Sequence, residues 1–420
     1  MKNILKFLRK DEIGEPRLRK FQDEIGEPPW DYYFLLNLPE SEYPKYLAKI
    51  FNYRTGEKLP LSHGVIDKKR CKTFNQKIQW LKLYGVTPLM RYCTDKVKVR
   101  DYVKEKIGEE YLKPVLQIIP NESKETMRCH CEQVNGNSGL ARQSTDICQD
   151  TPDCHDTQKE VVSRNDRESN ALTAYFDQID FNKLPNSFVL KCNHGSKWQY
   201  IINNKEEFIT LPKLVEIVKR QITGWLDQEY WVWNGFEMQY KVNNCNNNLN
   251  DRKQFKSGIE PKILIEKLLR DNNFFTQDLE FYCFMGEAKI IRRIYNNGKN
   301  EISVYDENLE NINLKFMKDE VIINNECDKL TKQTFDLNSK EKELNKINEQ
   351  EAELKISMKE ILRLSEQLSK DFLFVRVDWI IFKNKFYFNE LTFTPFSGFC
   401  NFQNSYWNNK LGNLIKLGEV

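Results

Sequence analysis

The stretch of sequence that most constrains the fold is Asp371–Phe399, which reads DFLFVRVDWIIFKNKFYFNELTFTPFSGF. Two runs of β-branched and aromatic residues flank the polar triplet at 383–385, which is the pattern of a β-hairpin. Asn384 is the expected turn residue, because Asn tolerates the positive φ of short hairpin loops. If the turn is centred on that residue, Asp378 lies directly opposite Glu390 on the neighbouring strand.

The two faces of this predicted hairpin differ in chemistry. One face is continuously apolar and should belong to the core; it carries Val375, Val377, Trp379, Ile381, Leu391 and Phe393. The other face combines aromatic residues with charged and hydroxyl side chains, namely Arg376, Asp378, Glu390, Thr392 and Thr394. The same register places Arg376 opposite Thr392.

A pair of directly opposed carboxylates needs a positive partner. Opposed residues have Cβ atoms roughly 4.5–5.5 Å apart, so Asp378 and Glu390 would repel each other in a mostly apolar sheet. Mg²⁺ would relieve this repulsion, since it takes oxygen ligands and leaves positions for water and phosphates. The alternatives are an exposed edge hairpin with solvated charges, or a simple ion pair between Asp378 and Arg376.

Composition narrows the class of protein. The 420 residues include 64 basic and 61 acidic side chains, so net charge predicts neither nucleic acid nor a membrane surface as a partner. Eleven scattered cysteines, an odd number, indicate reduced thiols rather than a disulfide framework. No apolar run is long enough to be a transmembrane segment, and the N-terminus lacks the pattern of a signal peptide. We therefore expect a cytoplasmic protein, with contact at the inner face of the membrane left open.

Two helices are predicted before residue 120. Lys72–Gly85 has helical apolar spacing and ends in a glycine stop. Within Cys93–Ile118, Thr94 or Asp95 could cap a helix that runs through Ile107. The basic side of that helix is expected to be a solvated surface; it consists of Lys96, Lys98, Arg100 and Lys104.

Residues 121–172 form a polar insertion that we expect to be disordered, because it has too few large apolar residues to bury. Its Cys and His residues are of the types that bind zinc, but their spacing lacks the usual gap between ligands. They are Cys129, His130, Cys131, Cys148, Cys154 and His155. A zinc site is therefore the weaker of the two hypotheses.

Strand patterns return after the insertion. The apolar run Phe188–Leu190 ends at Lys191 and is followed by the turn Asn193–Ser196, a common way to present an ammonium and backbone N–H groups to phosphate. An ordinary hairpin with a snorkelling Lys191 is the alternative, and His194 is expected to be a turn residue rather than a catalytic base. Residues 259–269 predict another apolar strand, and 278–295 predict a hairpin that turns at Met285 and Gly286.

Seven stretches in one order carry a resemblance to a known family. They are KTFNQKIQWLKLY (72–84), DKVKVRDYV (95–103), FDQIDFNKLPNSFVLKCNHGS (176–196), PKILIEKLL (261–269), FYCFMGEAK (281–289), LSKDFLFVRVD (368–378) and FNELTFTPFSGF (388–399). The sequence resembles the TupA-like ATP-grasp family, which is named for teichuronopeptide biosynthesis and is associated with bacterial surface polysaccharides. The resemblance implies an α+β fold, in which two α+β lobes clamp a nucleotide and a helical N-terminal region precedes them.

The resemblance also implies how the chain is divided. The expected parts are an N-terminal extension with helices (1–60), the N-terminal part of the ATP-grasp module (61–120), the polar insertion (121–172), a central nucleotide-binding lobe (173–268) and a C-terminal lobe with the metal-binding hairpin (269–420).

By the same resemblance, individual residues acquire expected roles. The residues that would act on the phosphates during catalysis are Lys191 and Arg376. The residues that would form a flexible loop over the phosphates are His194, Gly195 and Ser196. The residues of the strand that would take adenine and ribose, largely through backbone groups, are Glu266, Lys267 and Leu268. The Mg²⁺ ligands would be Asp378, Glu390 and Thr392.

The implied activity is that of an ATP- and Mg²⁺-dependent carboxylate–amine ligase that works through an acyl phosphate. Its acceptor would be a surface polysaccharide or a nucleotide- or lipid-linked glycan precursor, and its amine donor a molecule such as an amino acid. The alternatives are a glycosyltransferase or phosphotransferase of polysaccharide biosynthesis, and a degenerate ATP-grasp domain that binds without turnover. Three departures from the family pattern bear on the last alternative: Trp198 in place of glycines, Glu280 in place of a cation, and Phe396 in the loop TPFSG.

Overall fold

The computed structural model describes residues 32–119, 175–233, 235–242, 258–269, 277–295, 301–312, 314, 358–383 and 385–419. The first 31 residues, the polar insertion with its Cys and His residues, and Asn384 lie outside these ranges. The disorder and zinc hypotheses for the insertion, and the role of Asn384 in the turn, therefore stay predictions.

Helices dominate the described chain before residue 110. They are α1 (Tyr32–Leu36), α2 (Tyr43–Thr55), α3 (Phe74–Tyr84), α4 (Pro88–Thr94) and α5 (Val99–Ile107), with a ribbon of β1 (Leu61–Ser62) and β2 (Val65–Ile66) after α2. Helix α3 confirms the first predicted helix, because Thr73 and Gln76 form a capping box at its start and Gly85 follows its last residue.

The second predicted helix is wrong at its start. Helix α4 ends at Thr94, and α5 begins only at Val99. The residues between them are committed to other contacts: the carboxylate of Asp95 accepts from the backbone N–H of Val97 at 2.9 Å, and the backbone N–H of Lys96 donates to a distant turn. The backbone N–H of Val99 donates to the carbonyl of Asp95 at 2.9 Å, so Asp95 begins the turn that leads into α5 although the helix itself starts later.

A four-stranded antiparallel sheet, here called the central sheet, has the strand order β3-β6-β4-β5. Its strands are β3 (Val115–Ile119), β4 (Phe188–Cys192), β5 (Gln199–Ile202) and β6 (Ile263–Lys267), and the helices after β5 are α6 (Lys205–Ile209), α7 (Pro212–Asp227) and α8 (Tyr230–Trp233). Phe188, Leu190 and Ile265 bury one face of this sheet against residues of α7. Because side chains alternate along a strand, Lys191 and Glu266 lie on the other face.

A five-stranded antiparallel sheet, the C-terminal sheet, has the order β11-β10-β7-β8-β9. Its strands are β7 (Gln277–Phe284), β8 (Glu287–Tyr295), β9 (Glu301–Asp306), β10 (Phe374–Phe382) and β11 (Lys385–Thr392). Helix α9 (358–369) precedes β10, and α10 (Ser405–Leu414) packs against α3. The predicted hairpin at 278–295 is confirmed, with Met285 and Gly286 at positive φ in its turn.

The C-terminal hairpin has the predicted register where the polar residues lie. Strands β10 and β11 align Asp378 with Glu390 and Arg376 with Thr392. Nearer the turn the pairs are offset by one residue and end with Phe382 opposite Lys385, so the expectation that the hairpin is centred on Asn384 is wrong. Asn389, the extra residue of a β-bulge, restores the predicted opposition of Asp378 and Glu390. The predicted apolar face is confirmed as core, with Ile381 half-buried and the following residues buried: Val375, Val377, Trp379, Leu391 and Phe393.

Two expectations from composition can be compared with the described residues. Five cysteines there have buried, free thiols, namely Cys71, Cys93, Cys192, Cys283 and Cys400. Within the same residues, no helix combines the length and the apolar character that crossing a membrane requires.

Candidate functional site

Three cationic side chains converge on one buried carboxylate at the polar face of the central sheet. Oε2 of Glu266 lies 2.7 Å from Nζ of Lys191 and 3.1 Å from Nζ of Lys113. Its Oε1 lies 4.0 Å from Nη1 of Arg100, whose Nη2 donates to the backbone carbonyl of Lys113 at 2.9 Å. Lys113 is buried and the other two cations are half-buried, and one carboxylate does not balance all three charges, so this cluster suits an additional anionic ligand.

The pKa values in this cluster differ between the two lysines that share Glu266. Burial opposes the charge of Glu266, but Lys113 and Lys191 outweigh it and lower the pKa of Glu266 to about 2. Burial also opposes the charge of Lys191, yet Glu266 raises the pKa of Lys191 above its usual value. For Lys113, burial and the neighbouring ammonium of Lys191 lower the pKa to about 8. An incoming anion would therefore stabilise the charge of Lys113 most.

Lys113 also connects the central sheet to the C-terminal hairpin. Its Nζ donates to Oδ1 of Asn389, the bulged residue of β11, at 2.7 Å. The neighbouring residue on β11 is Glu390. Burial works against the charge of Glu390, but nearby cations, among them Lys96 and Lys191, lower its pKa. The cationic cluster and the predicted metal ligands thus belong to one electrostatic site.

The turn after β4 is anchored by residues between α4 and α5. The side chain of the buried Asn193 donates to the Asp95 carboxylate at 2.9 Å and accepts from the backbone N–H of Lys262 at 2.7 Å. The ammonium of Lys96 donates to the backbone carbonyl of Gly195. The loop that was expected to be flexible is therefore held on two sides.

His194 points away from the polar face of the central sheet. Its side chain is fully buried, with Nε2 3.1 Å from the carbonyl oxygen of Trp225. Burial lowers the pKa of His194 to about 3, so the imidazole is neutral at physiological pH. This geometry leaves only the backbone of His194 to meet a phosphate, and nucleotide binding by the turn stays a prediction.

Trp198 packs into the core instead of covering the turn. Its ring stacks on that of Trp225, with centroids 6.1 Å apart and an interplanar angle of 4°, and it meets Tyr230 edge-on at 5.1 Å. A Cβ atom on Gly195 would lie only 2.4 Å from the Trp198 ring. Gly195 is thus needed to seat the indole, which packs against the turn from the side where Trp225 and Tyr230 lie.

Arg376 lies among three carboxylates of the C-terminal sheet. Its Nε and Nη2 donate to Oδ1 and Oδ2 of Asp378 at 2.7 and 2.6 Å, which is a bidentate ion pair. Nη1 lies 3.6 Å from Oε1 of Glu280, and Nη2 lies 4.0 Å from Oε1 of Glu390. The ion pair between Arg376 and Asp378, one of the alternatives from the sequence, is therefore formed as part of a larger cluster.

The oxygen donors of the hairpin fit a hard divalent cation. The hydroxyl of Thr392 lies 3.1 Å from Oδ2 of Asp378 and 3.2 Å from Oε1 of Glu390. Burial raises the pKa of Asp378 to about 8 against the influence of Arg376, and neighbouring carboxylates add to the effect. Two carboxylates and one hydroxyl thus lie together on the polar face of the hairpin.

Among the described residues, no group of three or more His, Cys, Asp or Glu side chains is arranged to hold a metal ion. A cation at the hairpin would therefore take two carboxylates and complete its coordination with water or phosphate oxygens, as Mg²⁺ does.

Glu280, which stands where the family pattern has a cation, is paired with Arg292. The two residues align across β7 and β8, and Nη1 of Arg292 lies 2.8 Å from Oε2 of Glu280. Arg293 donates instead to Gln277 on the outer part of the same strand pair. The departure from the family pattern therefore produces a buried ion pair beside Asp378.

The loop TPFSG keeps a left-handed backbone although its third residue is not glycine. Phe396 has φ of 51° and Ser397 φ of 56°, values that residues with a Cβ atom seldom adopt. Two side chains of α3 hold this backbone: Gln79 donates to the carbonyl of Gly398 at 2.7 Å, and the buried Lys82 donates to that of Ser397 at 2.9 Å. Tertiary hydrogen bonds thus maintain the turn that glycine would favour.

The contacts of three cationic residues with the site were not predicted from the sequence; these residues are Lys96, Arg100 and Lys113. The expectation of a solvated basic face is wrong for Lys96 and Arg100, which contact the turn and Glu266, although Lys104 does form a surface ion pair. Lys96 and Arg100 are four residues apart, a spacing that places side chains on one side of a helix. A lysine before a proline at the start of an apolar strand was the available signal for Lys113.

The remaining predicted nucleotide contacts lie at the end of β6. Lys267 is exposed and Leu268 is half-buried, and the backbone N–H of Lys267 donates to the carbonyl of Pro114 at 3.0 Å. Their contact with adenine and ribose stays a prediction.

Two sheets with a lysine–glutamate cluster on one and opposed carboxylates on the other define an ATP-grasp type of fold. A family model described as TupA-like ATPgrasp matches residues 163–340 and 330–416, more than half of the chain. The chain belongs to the TupA-like ATP-grasp family, and the predicted α+β fold is confirmed. Membership supports a fold of the ATP-dependent ligase type that binds ATP, usually with Mg²⁺.

Among solved structures, that of C-terminally truncated Cdc123 from Schizosaccharomyces pombe is similar to this chain. The similarity has a TM-score of 0.31 and 6% sequence identity, and it covers 73% of this chain and 86% of that one. No curated protein matches the chain.

Proposed function

We propose that this protein is an ATP- and Mg²⁺-dependent carboxylate–amine ligase. The observation that carries the proposal is the pairing of two opposite charge patterns in one site. Lys191, Lys113 and Arg100 surround a single carboxylate on the central sheet, while Asp378 and Glu390 are opposed on the C-terminal hairpin. Phosphates suit the first pattern and a divalent cation suits the second.

In this proposal the chain positions ATP and stabilises charge. The ammonium groups of Lys191 and Lys113 bind the phosphates, the end of β6 receives the adenine and ribose, and Arg376 steadies the transferring phosphoryl group. Mg²⁺ held by Asp378, Glu390 and the Thr392 hydroxyl would neutralise phosphate charge.

The γ-phosphoryl group passes from ATP to the acceptor carboxylate, which yields ADP and an acyl phosphate. The amine then attacks the acyl carbon, and phosphate leaves as the amide forms. No protein nucleophile takes part, so the proposed mechanism requires no serine or cysteine triad.

The proposed acceptor is a surface polysaccharide or a nucleotide- or lipid-linked glycan precursor, and the proposed amine is a small molecule such as an amino acid. Support for the glycan comes from the family's association with teichuronopeptide and other surface polysaccharides. A cytoplasmic location, with work at the inner face of the membrane, would give access to ATP and to such precursors.

A domain that binds without turnover is the second candidate. The observation that favours it is the closed ion pair between Arg376 and Asp378, which covers both oxygens of a predicted metal ligand beside the additional carboxylate of Glu280. A glycosyltransferase or phosphotransferase remains the runner-up within the enzymes, and consumption of a nucleotide sugar without ADP release would favour it.

The test is calorimetric titration with a non-hydrolysable ATP analogue, with and without Mg²⁺. We expect binding that depends on Mg²⁺ and disappears in the double variant Asp378→Asn/Glu390→Gln. The matched control Asp177→Asn/Glu216→Gln changes two carboxylates that are each 60% exposed, and it should bind like the wild type. If the wild-type protein binds no analogue at millimolar concentration, the ligase proposal fails and the binding-domain alternative gains.

A further inference from the structure

Glu280 is a carboxylate with only 13% of its side chain exposed, which the proposed reaction does not use, yet it lies in register with a predicted metal ligand. Strands β7 and β10 align Glu280 with Asp378, and they align Tyr282 with Arg376. Oε2 of Glu280 is occupied by Arg292 at 2.8 Å and by the hydroxyl of Tyr282 at 3.4 Å. Its other oxygen, Oε1, faces Nη1 of Arg376 at 3.6 Å.

Arg376 and Thr392 together fill one oxygen of Asp378 in the present arrangement. Oδ2 accepts from Nη2 of Arg376 at 2.6 Å and lies 3.1 Å from the Thr392 hydroxyl, which also contacts Glu390. A cation shared between Asp378 and Glu390 would use this oxygen, so the guanidinium has to withdraw from Oδ2 before the cation can bind there. A guanidinium that is withdrawn inside a buried cluster needs another carboxylate, because an unpaired buried charge is strongly unfavourable.

The geometry places such a carboxylate within reach. The separation of 3.6 Å between Nη1 and Oε1 of Glu280 exceeds a charge-assisted hydrogen bond of about 2.8 Å by less than 1 Å. The Tyr282 ring lies under the guanidinium, 5.9 Å from its centre, and can support the cation in either position. Arg292 holds the far oxygen of Glu280 in place during the change.

We propose that Glu280 is a positioning residue, which receives the guanidinium of Arg376 when a divalent cation binds Asp378 and Glu390. The inference rests on the proposed function, because it assumes that the hairpin takes a cation. One ion pair is exchanged for another, so every buried charge keeps a partner. In this interpretation, the glutamate at position 280 gives Arg376 a second partner. Asp378 can then alternate between pairing with Arg376 and binding the cation.

The experiment measures the affinity of Mn²⁺ by electron paramagnetic resonance, in the presence of a saturating non-hydrolysable ATP analogue. Two substitutions of Glu280 distinguish the effect of its side-chain length from that of its charge. Glu280→Gln removes the charge, whereas Glu280→Asp keeps it and shortens the side chain by one C–C bond, about 1.5 Å. Coupling energies between contacting charged residues predict that both variants weaken Mn²⁺ binding about tenfold.

A third variant tests whether the effect passes through Arg376. In an Arg376→Lys background the closing bidentate pair cannot form, because a lysine lacks the guanidinium fork. Glu280→Gln should then change the Mn²⁺ affinity by less than about twofold. If the single variant does not fold, the pair Glu280→Gln/Arg292→Met removes the buried ion pair as a unit and takes its place.

The outcomes are distinct. Weakening by Glu280→Gln but not by Glu280→Asp would mean that only the charge matters, and it would overturn the proposal. So would an unchanged affinity in both variants, or an equal loss in the Arg376→Lys background. Failure of the wild-type protein to bind analogue and Mn²⁺ would instead overturn the proposed function itself.

Discussion

Replacing Glu266 with Gln is the most direct test of the buried charge cluster. The pKa of this carboxyl falls from 4.5 to about 2 in the folded protein, under the influence of Lys113 and Lys191. At about 1.4 kcal/mol for each pH unit between the two values, the ionised carboxylate contributes about 3 kcal/mol to the free energy of unfolding at neutral pH. Glu266 is only 5% exposed, so solvent screening reduces this figure little.

The dependence on pH follows from the direction of the change. Because the folded-state pKa lies below that of the unfolded chain, the contribution is complete above about pH 4.5 and is lost as the pH falls toward 2. Urea denaturation of the wild type and Glu266→Gln, followed by tryptophan fluorescence, should show a constant difference from pH 7 to pH 5. Between pH 4.5 and pH 3 the difference should shrink by about 2 kcal/mol.

Glu216→Gln, on the exposed surface of α7, is the matched control and should leave the free energy of unfolding within about 0.5 kcal/mol of the wild type. The assignment of Glu266 as the anion shared by the two lysines would be refuted if Glu266→Gln lowered the free energy of unfolding by less than about 1 kcal/mol at pH 7. It would also be refuted if the loss were as large at pH 3 as at pH 7.

Three further outcomes follow from the structure. Gly195→Ala brings a Cβ atom to 2.4 Å from the Trp198 ring, so it should cost about 1–3 kcal/mol and weaken the near-ultraviolet circular dichroism of the stacked indoles; an unchanged spectrum would contradict it. Lys96→Met should speed amide hydrogen exchange at 194–196 and weaken binding of the ATP analogue, whereas the surface variant Lys104→Met should do neither. Burial raises the pKa of the thiols of Cys71, Cys93 and Cys283 to about 12. At pH 8 these three thiols should therefore resist alkylation in the native protein and react in the unfolded protein, as measured by mass spectrometry.

The hairpin that holds Asp378 and Glu390 could be predicted because strand pairing across a short turn is local. A period of two separates the faces. The predicted opposition of Asp378 and Glu390 is observed because the extra residue Asn389 offsets a turn centre that was misplaced. The bulge at Asn389 could not be predicted in this way. It shifts the register by one residue between the site and the turn, and its side chain meets Lys113 from a distant part of the chain.

The three departures from the family pattern also have structural consequences that could not be predicted from local sequence, because they depend on contacts with other elements. Trp198 looked like an obstacle to phosphate, but a stacking partner on α7 draws it into the core. Phe396 looked incompatible with a glycine turn, but hydrogen bonds from α3 hold that turn in place. Glu280 looked like a lost cation, and its actual partners, Arg292 and Arg376, depend on the alignment of neighbouring strands.

The sequence by itself determined the two strands of the C-terminal hairpin with their faces, the strand before Leu268 and the turn at Met285, because these features follow from the periodicity and turn preferences of short segments. It did not predict β3 or β9, and the opposition of Asp378 and Glu390 also required the bulge at Asn389. Only the tertiary structure decided that Lys113 and Lys191 share Glu266, and that Arg376 forms an ion pair with Asp378. A pattern of residues cannot show which of many charges will lose its water and which partner will then lie within 3 Å, since burial and distance are properties of the packed chain.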